Sequence, residues 1–202
     1  ERMRGLPITM RVFDIGGDKL APVGGLAQGE SSNLLGFRAI RFLLRERSIF
    51  KTQLRAILRA STFGKVRIMF PMVAGLVELQ EAKGVVKETM KELQDQGIAF
   101  DEAIPIGCMV EVPSAALMVD SLVDESDFLS IGTNDLVQYC LAADRGIYAI
   151  SARYKPSDPS ILRLIKLVTT VAIDRDIPVS VCGEMAADPL FVPLLMGLGV
   201  HE

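Results

Sequence analysis

Short apolar runs rich in β-branched residues alternate along this chain with longer segments whose apolar residues recur at helical spacing. The short runs fall at 7–13, 66–72, 104–112, 127–131 and 178–182, with a possible sixth near 34–38. Between them, Leu34, Leu35, Ile40, Leu43 and Leu44 predict a helix over 33–47. Ile49, Phe50, Leu54, Ile57 and Leu58 predict a second over about 49–62, stopped by Gly64. Leu79, Val86, Met90 and Leu93 mark the inner face of a helix from about 76 to 96, with Lys and Glu outside. Pro113 opens the helix PSAALMVDSLV, and Thr133 or Asn134 is placed to cap the helix after the fourth run. Ser157 or Asp158 before Pro159 starts a helix that reaches Asp176, and the final DPLFVPLLMGLG is a helix closed by Gly.

Strands followed by helices predict a parallel sheet with helices outside, best read as a (β/α)8 barrel. In such folds the C-terminal strand ends share one face, and reactive residues collect there. The segment 127–145, DFLSIGTNDLVQYCLAADR, is the most informative case, because its apolar strand breaks at Gly132 into Thr133, Asn134 and Asp135. Free N–H groups in the first turn of the next helix favour an anion. A carboxylate beside an anion needs a cation between them, so Asp135 reads as a ligand of an oxygen-loving ion such as Mg2+. Glu111, at the end of the neighbouring apolar strand IPIGCMVEV, makes a second carboxylate for the same ion, with a salt bridge to an arginine as the alternative.

Arg11 lies in the first strand, where a buried guanidinium must reach a ligand or pair with Asp14 or Asp18. Arg38 stands near the start of a helix where it can point into a strand-end site, whereas Arg41, Arg45 and Arg47 read as surface. Arg145 is placed on the loop returning to the site. Cys182 ends the last strand beside Gly183 and faces the same side as Asn134 and Asp135, while Cys108 and Cys140 read as inert.

At 202 residues and 50% hydrophobic content, one sizeable core and one domain are expected. A net charge of −3 with interspersed acids and bases gives no reason to expect nucleic acid. Three widely spaced cysteines argue against a disulfide framework or structural zinc and fit a reducing cytoplasm. No apolar run approaches the roughly 20 residues of a membrane helix, and no signal peptide is evident.

The segment 127–145 resembles the signature of enzyme I of the phosphoenolpyruvate:sugar phosphotransferase system and, more distantly, pyruvate phosphate dikinase and phosphoenolpyruvate synthase. RVFDIGGDK around Arg11, LLGFRAIR around Arg38, FGKVRIMFPM, GCMVEVPSAA around Glu111 and VCGEMAADP around Cys182 resemble that family's motifs in the same order. The resemblance implies a phosphoenolpyruvate-binding barrel over 1–202, lacking its first and last strands and the separate phosphohistidine domain. It implies that Arg11, Arg38, Asn134, Asp135 and Arg145 bind substrate, that Glu111 and Asp135 hold Mg2+, and that Cys182 protonates the enolate carbon to give pyruvate. The implied partners are an N-terminal phosphohistidine domain, a phosphocarrier protein and a second copy of the chain.

Two departures from the family pattern stand out. The loop 20–32 is shorter and lacks an aromatic, proline-rich passage, and Ala187 replaces a usual glycine. His201, the only histidine, reads as a surface residue and not a phosphoacceptor. The alternatives are a dikinase or synthase barrel, a metal-dependent aldolase or lyase, and a degenerate barrel that senses phosphoenolpyruvate. CGEMAAD favours the sugar system over the dikinase pattern CGEHGGD.

Overall fold

The structure, a computed structural model, describes residues 3, 5–14, 35–144 and 154–202. The chain forms two compact units, one of residues 1–72 and 80–106 and the other of residues 73–79 and 107–202. The loop 20–32 and Arg145 lie outside the described residues.

In the first unit, β1 (Ile8–Arg11) pairs in parallel with β2 (Val66–Phe70), Ile8 opposite Val66 and Arg11 opposite Met69. β2 is largely buried, whereas all four residues of β1 are exposed. The sequence reading of Arg11 as a buried-strand arginine is therefore corrected: its side chain is 47% exposed. Helix α1 runs Ala39–Arg45 and α2 runs Arg47–Ala60. The predicted helix over 33–47 thus begins only after Arg38, a lone bridge residue, and residues 35–38 hold no sixth strand. α2 buries Phe50, Leu54, Ile57 and Leu58 on one face, and Phe50 meets Phe70 of β2 edge to face at 6.1 Å. A 3-10 turn, Ser61–Phe63, follows α2, and Gly64 is extended and not a left-handed stop.

Helix α3 (Leu76–Asp95) faces α2 through an ion-pair ladder. Arg47 meets Glu88 at 2.7 Å, Lys51 meets Glu88 at 3.1 Å and Glu92 at 2.7 Å, and Arg55 meets Glu92 at 3.6 Å. One-turn spacing on both helices brings these charges opposite one another, and Arg47, read from the sequence as a surface residue, is half-exposed within the ladder.

In the second unit, β3 (Ile106–Val110), β4 (Phe128–Gly132) and β5 (Val179–Cys182) run parallel, with Val110 opposite Ile131 and Gly132 opposite Cys182. The predicted helix PSAALMVDSLV is two helices, α4 (Pro113–Leu117) and α5 (Val119–Val123), because Met118 leaves helical geometry. Helix α6 spans Thr133–Cys140, and α7 spans Pro159–Asp174. As the sequence predicts, Asp158 caps α7, accepting from the Ser160 N–H at 2.8 Å. α7 is the spine of this unit: Ile161, Ile165, Val168 and Ala172 are buried along it, and α4, α5, α6 and α9 (Val192–Leu198) pack against it. Helix α8 is the short turn Glu184–Ala187 that follows Cys182.

The period of two along β3, β4 and β5 separates two faces. Cys108, Val110, Leu129, Ile131, Val179 and Val181 fill one, while Met109, Ser130, Gly132, Ser180 and Cys182 occupy the other. The sheet's inner face is thus polar and small-residue toward the strand ends, where room and hydrogen-bonding groups are needed. At the chain's end, His201 N–H donates to Val179 O at 3.3 Å and Val181 N–H to Glu202 O at 2.9 Å, so residues 201–202 run along the edge of β5.

Candidate active site at the strand ends

Three parallel strands of the second unit deliver Glu111, the Gly132–Asp135 turn and Cys182 to one end of the sheet. Glu111 is 2% exposed and Asp135 6% exposed, so both carboxylates are withdrawn from water. Gly132 makes room for the first of them: a Cβ there would lie 2.6 Å from Glu111 Oε2 and 2.9 Å from Met109 Sδ. Any side chain at 132 would displace the carboxylate. α6 starts directly at Thr133, with Gly132 as its cap residue. The expected capping by Thr133 or Asn134 does not occur, because Thr133 bonds to the end of β5 and Asn134 to the first residue after the Gly183 turn.

Those two side chains stitch the ends of β4 and β5 together. Thr133 Oγ1 donates to Cys182 O at 3.2 Å, and Asn134 Oδ1 accepts from Glu184 N–H at 3.0 Å. The second bond fixes the amide of Asn134, with Oδ1 as acceptor and Nδ2 as its donor group. Between these contacts the chain turns at Gly183, whose φ of 111° an L side chain adopts only with strain and whose Cβ would lie 2.6 Å from Thr133 Oγ1. The glycine is required twice over.

Cys182 is half-buried at the end of β5. Its sulfur accepts from Ser130 Oγ at 3.4 Å, donates to Ile131 O at 3.6 Å and lies 3.9 Å from Met109 Sδ. Cys108 offers a contrast on the opposite face. It is fully buried, 3.8 Å from Ser126 Oγ, and burial pushes its thiol up to about 12; the Ser126 contact partly offsets this and the charge of Glu111 adds to it. Cys108 is therefore a protonated core thiol, as its sequence position suggested.

In the first unit, Arg11 and Arg38 converge on Asp14. Arg38 Nε and Nη2 donate to the two carboxylate oxygens at 3.0 and 2.7 Å, and Arg11 Nη1 lies 3.6 Å from Oδ2. Arg38 is 8% exposed, so this fork is a desolvated, bidentate pair. Two guanidinium groups share one carboxylate. Immediately after Arg38, Ala39 is fully buried with φ of 52°, a left-handed conformation that turns the chain into α1.

The sequence singled out Asn134, Asp135, Glu111 and Cys182, and the fold brings all four to one strand end. It did not find Ser130 or the sharing of Asp14 by two arginines, and it read Thr133 only as a cap candidate and Gly183 only as a turn. A lone serine inside the apolar strand FLSIG was the available signal for Ser130. Among the described residues no group of three or more His, Cys, Asp or Glu side chains is placed to hold a metal ion. Two buried carboxylates with oxygen donors only still suit Mg2+, which keeps several waters and takes one or two carboxylates together with substrate oxygens.

Along residues 1–202 the chain matches the family described as PEP-utilising enzyme, PEP-binding domain. It is 48% identical over all 202 residues to a phosphoenolpyruvate-protein phosphotransferase of Priestia megaterium, 49% to that of Bacillus subtilis (strain 168) and 46% to that of Staphylococcus carnosus (strain TM300). In each case 100% of this chain is aligned to 35% of the relative, so the chain spans about a third of the length of the curated relatives it matches. Among solved structures, an aldolase/citrate lyase family protein from Burkholderia cenocepacia J2315 superposes with a TM-score of 0.52 at 15% identity, over 77% of this chain and 61% of that one. A citrate lyase from Burkholderia xenovorans LB400 gives 0.51 at 20% identity, over 67% and 43%. These two share the α/β fold. A family match that runs the full length leaves no segment of the chain outside it, and the chain belongs to the PEP-binding domains of the PEP-utilising enzymes.

Proposed function

We propose that this chain is the phosphoenolpyruvate-binding barrel of a phosphoenolpyruvate-protein phosphotransferase, which passes phosphate to a histidine on another domain and releases pyruvate. The observation that carries the reading is the strand-end arrangement of Glu111, Asn134, Asp135 and Cys182, in a chain about half identical to enzymes of that name. Phosphoenolpyruvate carries a carboxylate and an ionised phosphate, so it needs several positive charges in fixed geometry. In this reading Arg11, Arg38 and Arg145 supply them, and bidentate guanidinium contacts orient as well as attract the substrate. The Nδ2 group of Asn134 adds a donor to the phosphate, with its orientation held by Glu184 N–H. Glu111 and Asp135 would hold Mg2+, which when bound supplies charge to the carboxylate and phosphate oxygens and to the enolate oxygen that develops.

Cys182 is the acid in this reading. Loss of the phosphoryl group leaves an enolate; the Cys182 S–H bond breaks as a C–H bond forms at its terminal carbon, and pyruvate results. The pairing of residues 201–202 along β5 supports a sheet with room for a further strand on that side. The phosphohistidine domain, a phosphocarrier protein, a second copy of the chain and the cytoplasm complete the setting we infer. No helix among the described residues is long and apolar enough to cross a membrane.

The test is a calorimetric titration with phosphoenolpyruvate, with and without Mg2+, beside an Arg145→Ala control. Binding that requires Mg2+ and weakens more than about tenfold in the control is expected. Absence of heat from a folded sample, both as this chain and within a longer parent, would sink the reading.

A further inference from the structure

Two serines lie side by side on the inner face of β4 and β5, and they are used differently. Ser180 does what a strand serine ordinarily does: its hydroxyl reaches a neighbouring backbone carbonyl, Leu129 O, at 3.4 Å. Ser130, opposite it and 3% exposed, sends its hydroxyl to the Cys182 sulfur at 3.4 Å, and among the described residues its side chain has no other hydrogen-bond partner. We propose that Ser130 is a positioning residue for Cys182: its hydroxyl holds the sulfur at the strand end and stabilises the thiolate formed when Cys182 gives up its proton. The inference rests on the reading of Cys182 as the acid.

The chemistry of the step calls for such a donor. When the S–H bond breaks and the proton goes to the enolate carbon, the electron pair stays on sulfur in a half-buried place. Three carboxylates stand on neighbouring elements, Glu111 after β3, Asp135 on α6 and Glu184 on α8. None of them favours an anion on sulfur. Ile131 O and Met109 Sδ, which also meet Sγ, are acceptors and favour the protonated thiol. Ser130 Oγ is a neutral donor beside the sulfur, and it can turn its hydrogen to it without bringing a charge into the site. Once pyruvate has left, the sulfur regains its proton from water, and the cycle closes with no other reactant.

The experiment measures the rate at which iodoacetamide alkylates Cys182 at pH 7, read on the Cys182 peptide by mass spectrometry so that other thiols do not interfere. Removing the donor in Ser130→Ala lowers the thiolate fraction about tenfold. The less acidic thiolate is about threefold more nucleophilic, so a net slowing of about threefold is expected, restored in Ser130→Thr. A merely structural hydroxyl would give the opposite sign, since a loosened site exposes the sulfur and speeds alkylation. An unchanged or faster rate in Ser130→Ala, or slowing that threonine does not restore, overturns the proposal. A second readout, exchange of pyruvate methyl protons with deuterated water in the presence of Mg2+, judges the acid role itself. If the unsubstituted protein shows no exchange, the assignment of Cys182 fails, whatever the alkylation rates say of Ser130.

Discussion

At Gly132 one methyl group decides how near Glu111 can lie to the end of β4. Because a Cβ would sit 2.6 Å from Oε2 and 2.8 Å from the Glu111 Cβ, Gly132→Ala must push the carboxylate aside or shift the strand. We expect a loss of about 1–3 kcal/mol in stability and a more than tenfold weakening of Mg2+-dependent phosphoenolpyruvate binding, read by denaturant unfolding and calorimetry. Wild-type-like binding in a variant that keeps its fold would remove Glu111 from the site. The cysteines give a second expectation at this scale. Burial holds the Cys108 thiol near 12, so peptide-resolved alkylation at pH 8 should leave it unmodified while it labels Cys182; labelling of Cys108 in the folded protein would contradict its burial. Asn134, Asp135 and Cys182 were legible because each follows an apolar run at the point where it breaks. The fork from Arg38 to Asp14 and the contact from Ser130 to Cys182 were not, since they join residues 24 and 52 positions apart, a separation that no local pattern encodes.

Helices carry the next level of expectation. α7 ends with Asp176 in the left-handed region at φ of 55°, where Asp176 N–H bonds to Ile173 O and Ile177 N–H to Ala172 O. That double bond is the Schellman arrangement, in which glycine is ordinarily found; α3 and α9 end in the same way at Gly97 and Gly199. Asp176→Gly should therefore raise stability by about 0.5 kcal/mol, about 1–2 °C in Tm; a fall in Tm would mean that the aspartate side chain has a role of its own. The ladder between α2 and α3 predicts a pH dependence. Hydrogen bonds from Arg47 and Lys51 lower the Glu88 carboxyl, so its contribution is present above its ordinary value of 4.5 and fades as pH falls through the lowered value. Glu92 and then Glu88 raise Lys51, whose contribution is present below its ordinary value of 10.5 and fades as pH rises through the raised one. Glu88→Gln should lower Tm at pH 7 and in low salt, with the difference from wild type closing toward pH 3 and in 1 M salt. A difference that persists at pH 3 would show that packing, and not charge, is lost. The pattern of apolar residues set the existence of these helices. Their ends moved: the one over 33–47 begins at Ala39, and the one after Pro113 breaks at Met118, where backbone geometry outweighs periodicity.

In the molecule as a whole, β1 is exposed along its length while β4 is buried on both faces. Hydrogen exchange should therefore find the amides of Ile8–Arg11 opening well before those of Phe128–Gly132, because the first strand has little buried apolar surface to hold it. Equal protection of the two would mean that the exposed strand is covered in solution. The alternation of apolar runs and amphipathic helices was enough to give five strands near their observed places, parallel within each unit, since each element must bury its own apolar face whatever the rest of the chain does. Local chemistry was also enough to mark the strand ends, because carboxylates, an amide and a thiol at the limits of buried strands have few reasons to be there. The tertiary structure decided what those groups do to one another. It turned Thr133 and Asn134 away from capping and toward the end of β5 and the turn after it, gave Asp14 to two arginines, set Ser130 against the Cys182 sulfur and left Arg11 half in solvent. These are distances between side chains on different strands and loops, fixed by register and packing, and a hydrogen bond is lost over a few tenths of an ångström that sequence spacing does not specify.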